Sequence, residues 1–322
     1  MTDKITLTFL IPVFFGEKSL KSFIAQLVTQ QLERGLPFEI ILVDDGSRDN
    51  SWGVIEELAK QYPGIVRGIR LSRNFGQHNA LMCGFHYARG DVIVTMDDDG
   101  QHPPEEIPKL LEAMERTGAD VVYGVPKRRE HHWMRNLASA VVRAFFRWVF
   151  GLKVDPSPFR AIRREIVQLI LPYDLSFVYL DGLLAWYTDR FAQVEVEHRQ
   201  RLHGRSTYTP GKLVTLAFNL FTNFAIGPLQ VVSLVGFGST IFGLTLAAYY
   251  LVMRLIGQIT VPGFATVAIL VLVMGGLQLL SLGLIGEYLG RVHLNVNRKP
   301  QFAVREVTSN VSPAPDGLSL GS

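Results

Sequence analysis

One cysteine, Cys83, is the entire thiol complement of the 322-residue chain. No intrachain disulfide can form, and nothing in the composition asks for an oxidising compartment. Charge is just as scarce over a long stretch: between Gly211 and Gly290 the only charged side chains are Lys212, Arg254 and Glu287, although the chain carries 32 Lys+Arg and 29 Asp+Glu. That poverty excludes a single water-soluble globule, a fibrous repeat and a disordered chain. The formal net charge is only +3 and no Lys/Arg run would track a phosphate backbone, so nucleic acid is not an expected partner. A secretory leader is not expected either, because the apolar run 5–15 is interrupted by Thr6, Thr8 and Pro12 and lacks a small-residue cleavage site.

What the first half contains is alternation. Short apolar runs at 5–11, 38–43, 66–71, 92–96 and 121–123 are separated by helical patterns at 18–31, 51–61, 77–88 and 104–116. Continuous apolar strands alternating with helices predict an α/β fold, a mostly parallel sheet covered on both faces. Such sheets bind ligands beyond the carboxyl ends of their strands, near the switch in strand order. The polar clusters 12–17, 44–47 and 97–101 all follow apolar runs and fall at those ends.

The second half predicts a membrane hairpin. Segments 229–255 and 264–285 are each longer than the ~20 apolar residues that cross a bilayer, and the turn between them, 257–263, has no charge. Lys212 and a basic region at 127–164 precede the first span, and Arg291, Arg298 and Lys299 follow the second, which places both flanks in the cytoplasm. Gly286 and Gly290 at i, i+4 either allow close helix packing or are merely tolerated. The segment 131–150 sets Trp133, Phe145, Phe146, Trp148 and Phe150 beside Arg135, Arg143 and Arg147. That pattern fits a helix lying in the headgroup plane, or a core helix with one solvated arginine face. The expected division is a domain at 1–210 including the interfacial helix, a juxtamembrane helix at 211–228, the hairpin at 229–290, and a tail at 291–322 whose end from 309 is disordered.

The strongest chemical signal is the string Asp97-Asp98-Asp99-Gly100-Gln101-His102-Pro103-Pro104-Glu105 at the end of an apolar strand. Three carboxylates and an amide in one turn repel one another unless a cation relieves them, and hard oxygens suit Mg2+ or Mn2+ shared with substrate phosphates. Asp44-Asp45-Gly46-Ser47 is weaker, because it reads equally as an ordinary turn or as a site where a carboxylate meets a nucleobase N–H.

These strings, with Pro12-Val13-Phe14, Asn74-Phe75-Gly76-Gln77-His78, Arg160-Ala161-Ile162-Arg163-Arg164 and Arg201-x-x-Gly204-x-Ser206-x-Tyr208, resemble family 2 glycosyltransferases of GT-A, Rossmann-like fold. More narrowly the chain is similar to the polyprenyl-phosphate glycosyltransferases, the group of dolichol-phosphate mannose synthase, the bactoprenol glucosyltransferases and undecaprenyl-phosphate aminoarabinose transferase. The resemblance implies a nucleotide-sugar donor, a divalent cation, a polyprenyl phosphate acceptor in the inner membrane and a homo-oligomer, with a tetramer as one candidate. It assigns the metal to Asp97, Asp99 and Gln101, and the nucleotide to Pro12, Phe14, Glu17, Asp44, Asp45, Gln77 and Asp98. Donor or acceptor phosphates fall to Arg160, Arg201, Arg205 and Ser206, and Asp155 matches an acidic residue near the reacting centre.

Three departures stand out. The usual Asn-Glu after the first strand is Phe15-Gly16, with Glu17 one position late; the segment 155–160 is one residue shorter than the common pattern and carries two prolines; and Thr207 stands where a lysine is usual, with Arg205 replacing an acidic residue. A processive polysaccharide synthase would need Gln-x-x-Arg-Trp, but Ala144 stands where the glutamine of Arg147-Trp148 should be. A non-catalytic nucleotide-binding membrane protein would have no use for the full carboxylate string. The acceptor phosphate is already an anion, so the expected reaction is an inverting single displacement that needs no strong base.

Overall fold

Strands β1 (Leu7–Val13), β2 (Phe38–Asp44) and β3 (Val66–Leu71) pair in parallel, and β4 (Val92–Thr95) joins the other side of β1. Their near-continuous apolar character follows from burial on both faces. Phe9, Ile11 and Val13 of β1 enter one core layer with Ile40 and Leu42 of β2, while Leu10, Ile41 and Val43 enter the other. The first layer is covered by α1 (Leu20–Arg34), α2 (Ser51–Gln61) and α4 (Ile107–Thr117), and the second by α3 (Gln77–Tyr87), α5 (Arg164–Ile170) and α6 (Leu180–Tyr187). The computed structural model describes residues 6–126, 154–197, 227–256, 263–297 and 299–308.

Among the described residues the sheet has eight strands in the order β7-β5-β6-β4-β1-β2-β3-β8, where β5 is Val121–Pro126, β6 Arg160–Arg163, β7 Phe191–Val196 and β8 Val304–Val307. It is mixed: β6 runs antiparallel between β4 and β5, and β8 runs antiparallel along β3. Order reverses between β1 and β4, which puts the switch point at the loops after Val13 and Thr95. Strands β6, β7 and β8 lie outside the expected set. The last comes from the segment expected to be a tail, and Thr308 fastens it by receiving and returning hydrogen bonds with the Gly68 backbone.

Met1–Ser206 and Lys299–Ser322 form one compact unit, and Thr207–Arg298 a second. The second unit holds α7 (Gly227–Leu255) and α8 (Phe264–Val296), which contain the two expected spans. At 1.5 Å per residue they are about 44 and 50 Å long. Within α8, Val273–Gly290 is long and apolar enough to cross a membrane, with mean hydropathy 1.2, whereas the comparable stretch of α7 is the shorter Leu234–Leu246. One helix of the expected pair therefore meets the length-and-composition criterion over the described residues. The interfacial segment 131–150, residues 211–226 of the juxtamembrane helix and the tail from 309 lie outside the described residues.

Candidate active site

The loop after β1 is built to expose aromatic surface. Phe14 and Phe15 are 47% and 54% exposed, with ring centroids 4.3 Å apart. Phe15 is the one described non-glycine residue with positive φ, at 60°, a conformation that works against an L side chain. It is held there by the turn after β2 and the start of α2: the Phe15 N–H donates to Ser47 Oγ at 3.1 Å and the Gly16 N–H to Ser51 Oγ at 2.9 Å.

The Asp-Asp-Gly-Ser turn supports this loop from β2. Asp44 is fully buried, accepts the Ser47 N–H at 2.9 Å and lies 3.4 Å from the Arg70 Nε; burial raises its pKa. Expected in the nucleoside pocket, it closes the turn from inside the fold. Gly46 sits at φ +68°, and a Cβ there would fall 2.4 Å from the Arg73 carbonyl carbon, so the approach of segment 73–76 demands glycine. Asp45 clamps that segment, its two oxygens accepting the N–H groups of Phe75 at 2.7 Å and Gly76 at 2.9 Å.

Burial pushes the Asp45 carboxyl up to about 6 despite those two N–H groups. With its folded pKa above the unfolded value, Asp45 adds stability below about pH 4 and loses it as pH rises through about 6. Asp45→Asn is expected to remove up to about 3 kcal/mol of that pH dependence. Thermal unfolding of both proteins between pH 4 and 7 checks this; parallel curves would contradict it.

The third part is the carboxylate turn after β4. Asp97 accepts a hydrogen bond from Gln77 Nε2 at 2.7 Å, which carries the start of α3 to the site, and Asp99 accepts the Gln101 N–H at 3.0 Å. Asp98 turns the other way, into the β1 loop: a Cβ on Gly16 would lie 2.6 Å from its Oδ2, and that buried oxygen makes no hydrogen bond. Desolvation first, then the charges of Asp97 and Asp99, push the Asp98 carboxyl up to about 7. The rest of the string is scaffolding. His102 stacks on Phe159 with centroids 5.0 Å apart, Pro104 opens a 3-10 turn, Glu105 accepts from Gln26, and Glu106 binds Lys109 and the Glu197 N–H.

Among the described residues no three carboxylate, imidazole or thiol groups converge on one point. The turn nonetheless fits a divalent cation of the kind that takes one or two carboxylates and completes its shell with substrate phosphates. Asp97 and Asp99 supply hard oxygens from a single turn, and their negative charge is felt at Asp98.

Arg160 departs furthest from expectation. It is 2% exposed, its Nε donates to Thr95 Oγ1 at 3.2 Å, and its Nη1 forms an ion pair with Asp181. Tyr123 donates to the same Asp181 oxygen at 2.8 Å. The guanidinium expected at a phosphate is thus paired inside the fold, under the end of β4. Its charge is felt as far as Asp97, so it places fixed positive potential behind the carboxylate turn. His78 rests on the Tyr179 ring at 5.3 Å beside this pair, and burial lowers its pKa to about 4. Sequence reasoning missed Asp181 altogether, because the only signal for it is a buried arginine that needs a partner.

The remaining expected residues are dispersed. Pro12 is half-buried in β1 opposite Val43. Glu17 accepts the Asn50 N–H at 3.2 Å, at the start of α2. The Asp155 N–H donates to Gln193 Oε1 at 2.9 Å, on β7. Arg201, Arg205 and Ser206 lie outside the described residues. What the structure brings together at the switch point is Phe14, Phe15, Gln77 and the turn 97–101.

Comparison with known proteins agrees with this arrangement. The family pattern described as Glycosyl transferase family 2 matches residues 8–171, from β1 to the end of α5. Undecaprenyl-phosphate 4-deoxy-4-formamido-L-arabinose transferase of Shewanella sediminis is 34% identical over 92% of this chain and 91% of its own. The enzyme of the same name from Pseudomonas fluorescens is 36% identical over 96% and 94%. Among solved structures, glucosyl-3-phosphoglycerate synthase from Mycobacterium tuberculosis, in complex with Mn2+, UDP-glucose and phosphoglyceric acid, superposes with TM-score 0.50 at 21% identity, over 68% of this chain and 78% of that one. That likeness establishes the GT-A type of mixed α/β sheet. With the family pattern spanning the switch-point loops and relatives aligned from end to end, the chain belongs to glycosyltransferase family 2 and is a glycosyltransferase.

Proposed function

We propose that the protein transfers a sugar from a nucleotide-diphosphate sugar, a UDP-sugar, to undecaprenyl phosphate or a similar polyprenyl phosphate, with inversion, for modification of a cell-envelope glycan. The observation that carries this reading is the juxtaposition, at the β1/β4 switch point, of the exposed Phe14–Phe15 pair with the carboxylate turn 97–101. Aromatic faces suit a nucleobase, whose stacking is worth about 1–3 kcal/mol, and the turn suits the adjoining diphosphate. The acceptor follows from the names of relatives that align over nearly the whole chain.

An acceptor phosphate oxygen attacks the anomeric carbon as the bond from that carbon to the nucleoside diphosphate breaks, so the departing group takes the electron pair and no proton need move. A bound Mg2+ or Mn2+ would supply Lewis-acid stabilisation of the leaving diphosphate. Asp97 and Asp99, with Gln101, would hold it. Gln77 orients Asp97, and the buried Arg160 charge lowers the expense of gathering carboxylates in one turn. Asp155, Arg201, Arg205 and Ser206 are proposed to face the reacting phosphates, Asp155 from the segment before β6.

Helices α7 and α8 are proposed to form a hairpin in the inner membrane with the catalytic unit and both flanks cytoplasmic, in a homo-oligomer. Large apolar side chains such as Leu234, Phe237, Phe242, Leu279 and Leu280 stand exposed along them, as lipid contact requires. Purified protein incubated with undecaprenyl phosphate, Mn2+ and a panel of UDP- and GDP-sugars is expected to release nucleoside diphosphate only when the lipid is present. Release without the lipid would remove the acceptor, and silence with every donor would remove the reading.

A further inference from the structure

Asp98 stands between two proposed metal ligands, yet its carboxylate enters the loop after β1. Gly16 leaves the space: any side chain there would begin 2.6 Å from Asp98 Oδ2 and 2.9 Å from Val13 Cγ1. The Phe14 N–H lies close enough to the carboxylate to favour its charged form. Oδ2 is nevertheless buried with no hydrogen bond. A buried carboxylate oxygen without a donor works against folding, and a residue present only to pack would serve better as alanine. The loop it enters is also the strained one, with Phe15 at φ 60° and both phenyl rings turned outward. Two unfavourable features in contact at a ligand-binding switch point mark a device retained for function.

We propose that Asp98 is the positioning residue of the nucleotide site. Its carboxylate, seated in the gap that Gly16 leaves, holds Phe14 and Phe15 as a platform for a flat heterocycle and couples that platform to the turn that faces the diphosphate. Positions 16 and 98 are therefore interdependent: an acidic side chain at 98 requires glycine at 16. The inference rests on the nucleotide-sugar reading above and deepens it.

Calorimetric titration of the full-length protein in detergent with UDP and with GDP, in EDTA and again in Mn2+, tests it alongside thermal unfolding. Asp98→Ala is expected to weaken nucleotide binding about tenfold in EDTA as well as in Mn2+, while raising the Tm by a few degrees. Asp98→Asn keeps an acceptor oxygen and is expected to recover most of the lost affinity. Asp97→Ala weakens binding only when the cation is present. Gly16→Ala is expected to lose affinity like Asp98→Ala, and the double variant to lose clearly less than the two single losses together, since without the carboxylate only Val13 Cγ1 has to give way to the methyl group. A lower Tm with unchanged affinity in Asp98→Ala, or additive losses in the double variant, overturns the proposal. If the wild-type protein binds neither nucleotide, the nucleotide-sugar reading fails and takes this inference with it.

Discussion

Asp97→Ala and Asp99→Ala are each expected to lower kcat for sugar transfer by at least about a thousandfold, equivalent to roughly 4 kcal/mol of transition-state stabilisation. Both side chains are partly exposed at the end of β4. Asp97 meets Gln77 and Asp99 meets its own turn, so their removal leaves the sheet intact. The unfolding temperature should shift little, which separates lost chemistry from lost structure. EDTA should reproduce the defect in the wild-type protein, and Mg2+ or Mn2+ should reverse it. Full activity in either variant would end the metal assignment.

The largest expected effect on stability lies just below. Asp181→Ala leaves the Arg160 guanidinium buried with its charge uncompensated, and Tyr123 loses the acceptor for its hydroxyl. Breaking one side of a buried pair commonly destabilises by about 3–5 kcal/mol, which in a domain of this size lowers the Tm by about 10 °C. Replacing both partners, Arg160→Met with Asp181→Leu, should recover a large part of that loss, because an apolar pair needs no compensation. Chemical denaturation of the two variants decides the matter; an Asp181→Ala protein as stable as wild type would mean that the charges are not paired in solution.

The parallel half of the sheet is legible in the sequence for a simple reason. Strands β1 to β4 are buried on both faces, so β1, β2 and β4 read as largely apolar runs, while β3 keeps enough apolar residues around Arg67 and Arg70 to be recognised between two helical patterns. Strand β6 defeats the same test, since Arg160 and Arg163 occupy half of its four residues and Arg160 is tolerated only because Asp181, 21 positions away, meets it inside the fold. Strand β8 is short, lies at an edge and pairs with residues some 240 positions earlier, so no local pattern announces it. In the site, the carboxylate string is recognisable because hard oxygens crowd together, whereas the direction each one faces is not. Asp97 and Asp98 are neighbours in sequence, and only the backbone turn sends one toward Gln77 and the other toward Gly16. Asp44 and Asp45 divide in the same way, one closing a turn and the other clamping the next loop.

The pairing of β8 with β3 bears on the order in which this protein comes into being. Synthesis runs from the amino end, so both apolar helices are made before Val304–Val307. Throughout that interval the hydrogen-bonding groups along the outer side of β3 await their partner, and the nascent chain carries an adhesive edge. A fragment cut before α7 to obtain a water-soluble enzyme would keep that edge open permanently, and grafting residues 299–308 back onto it is the remedy the topology dictates.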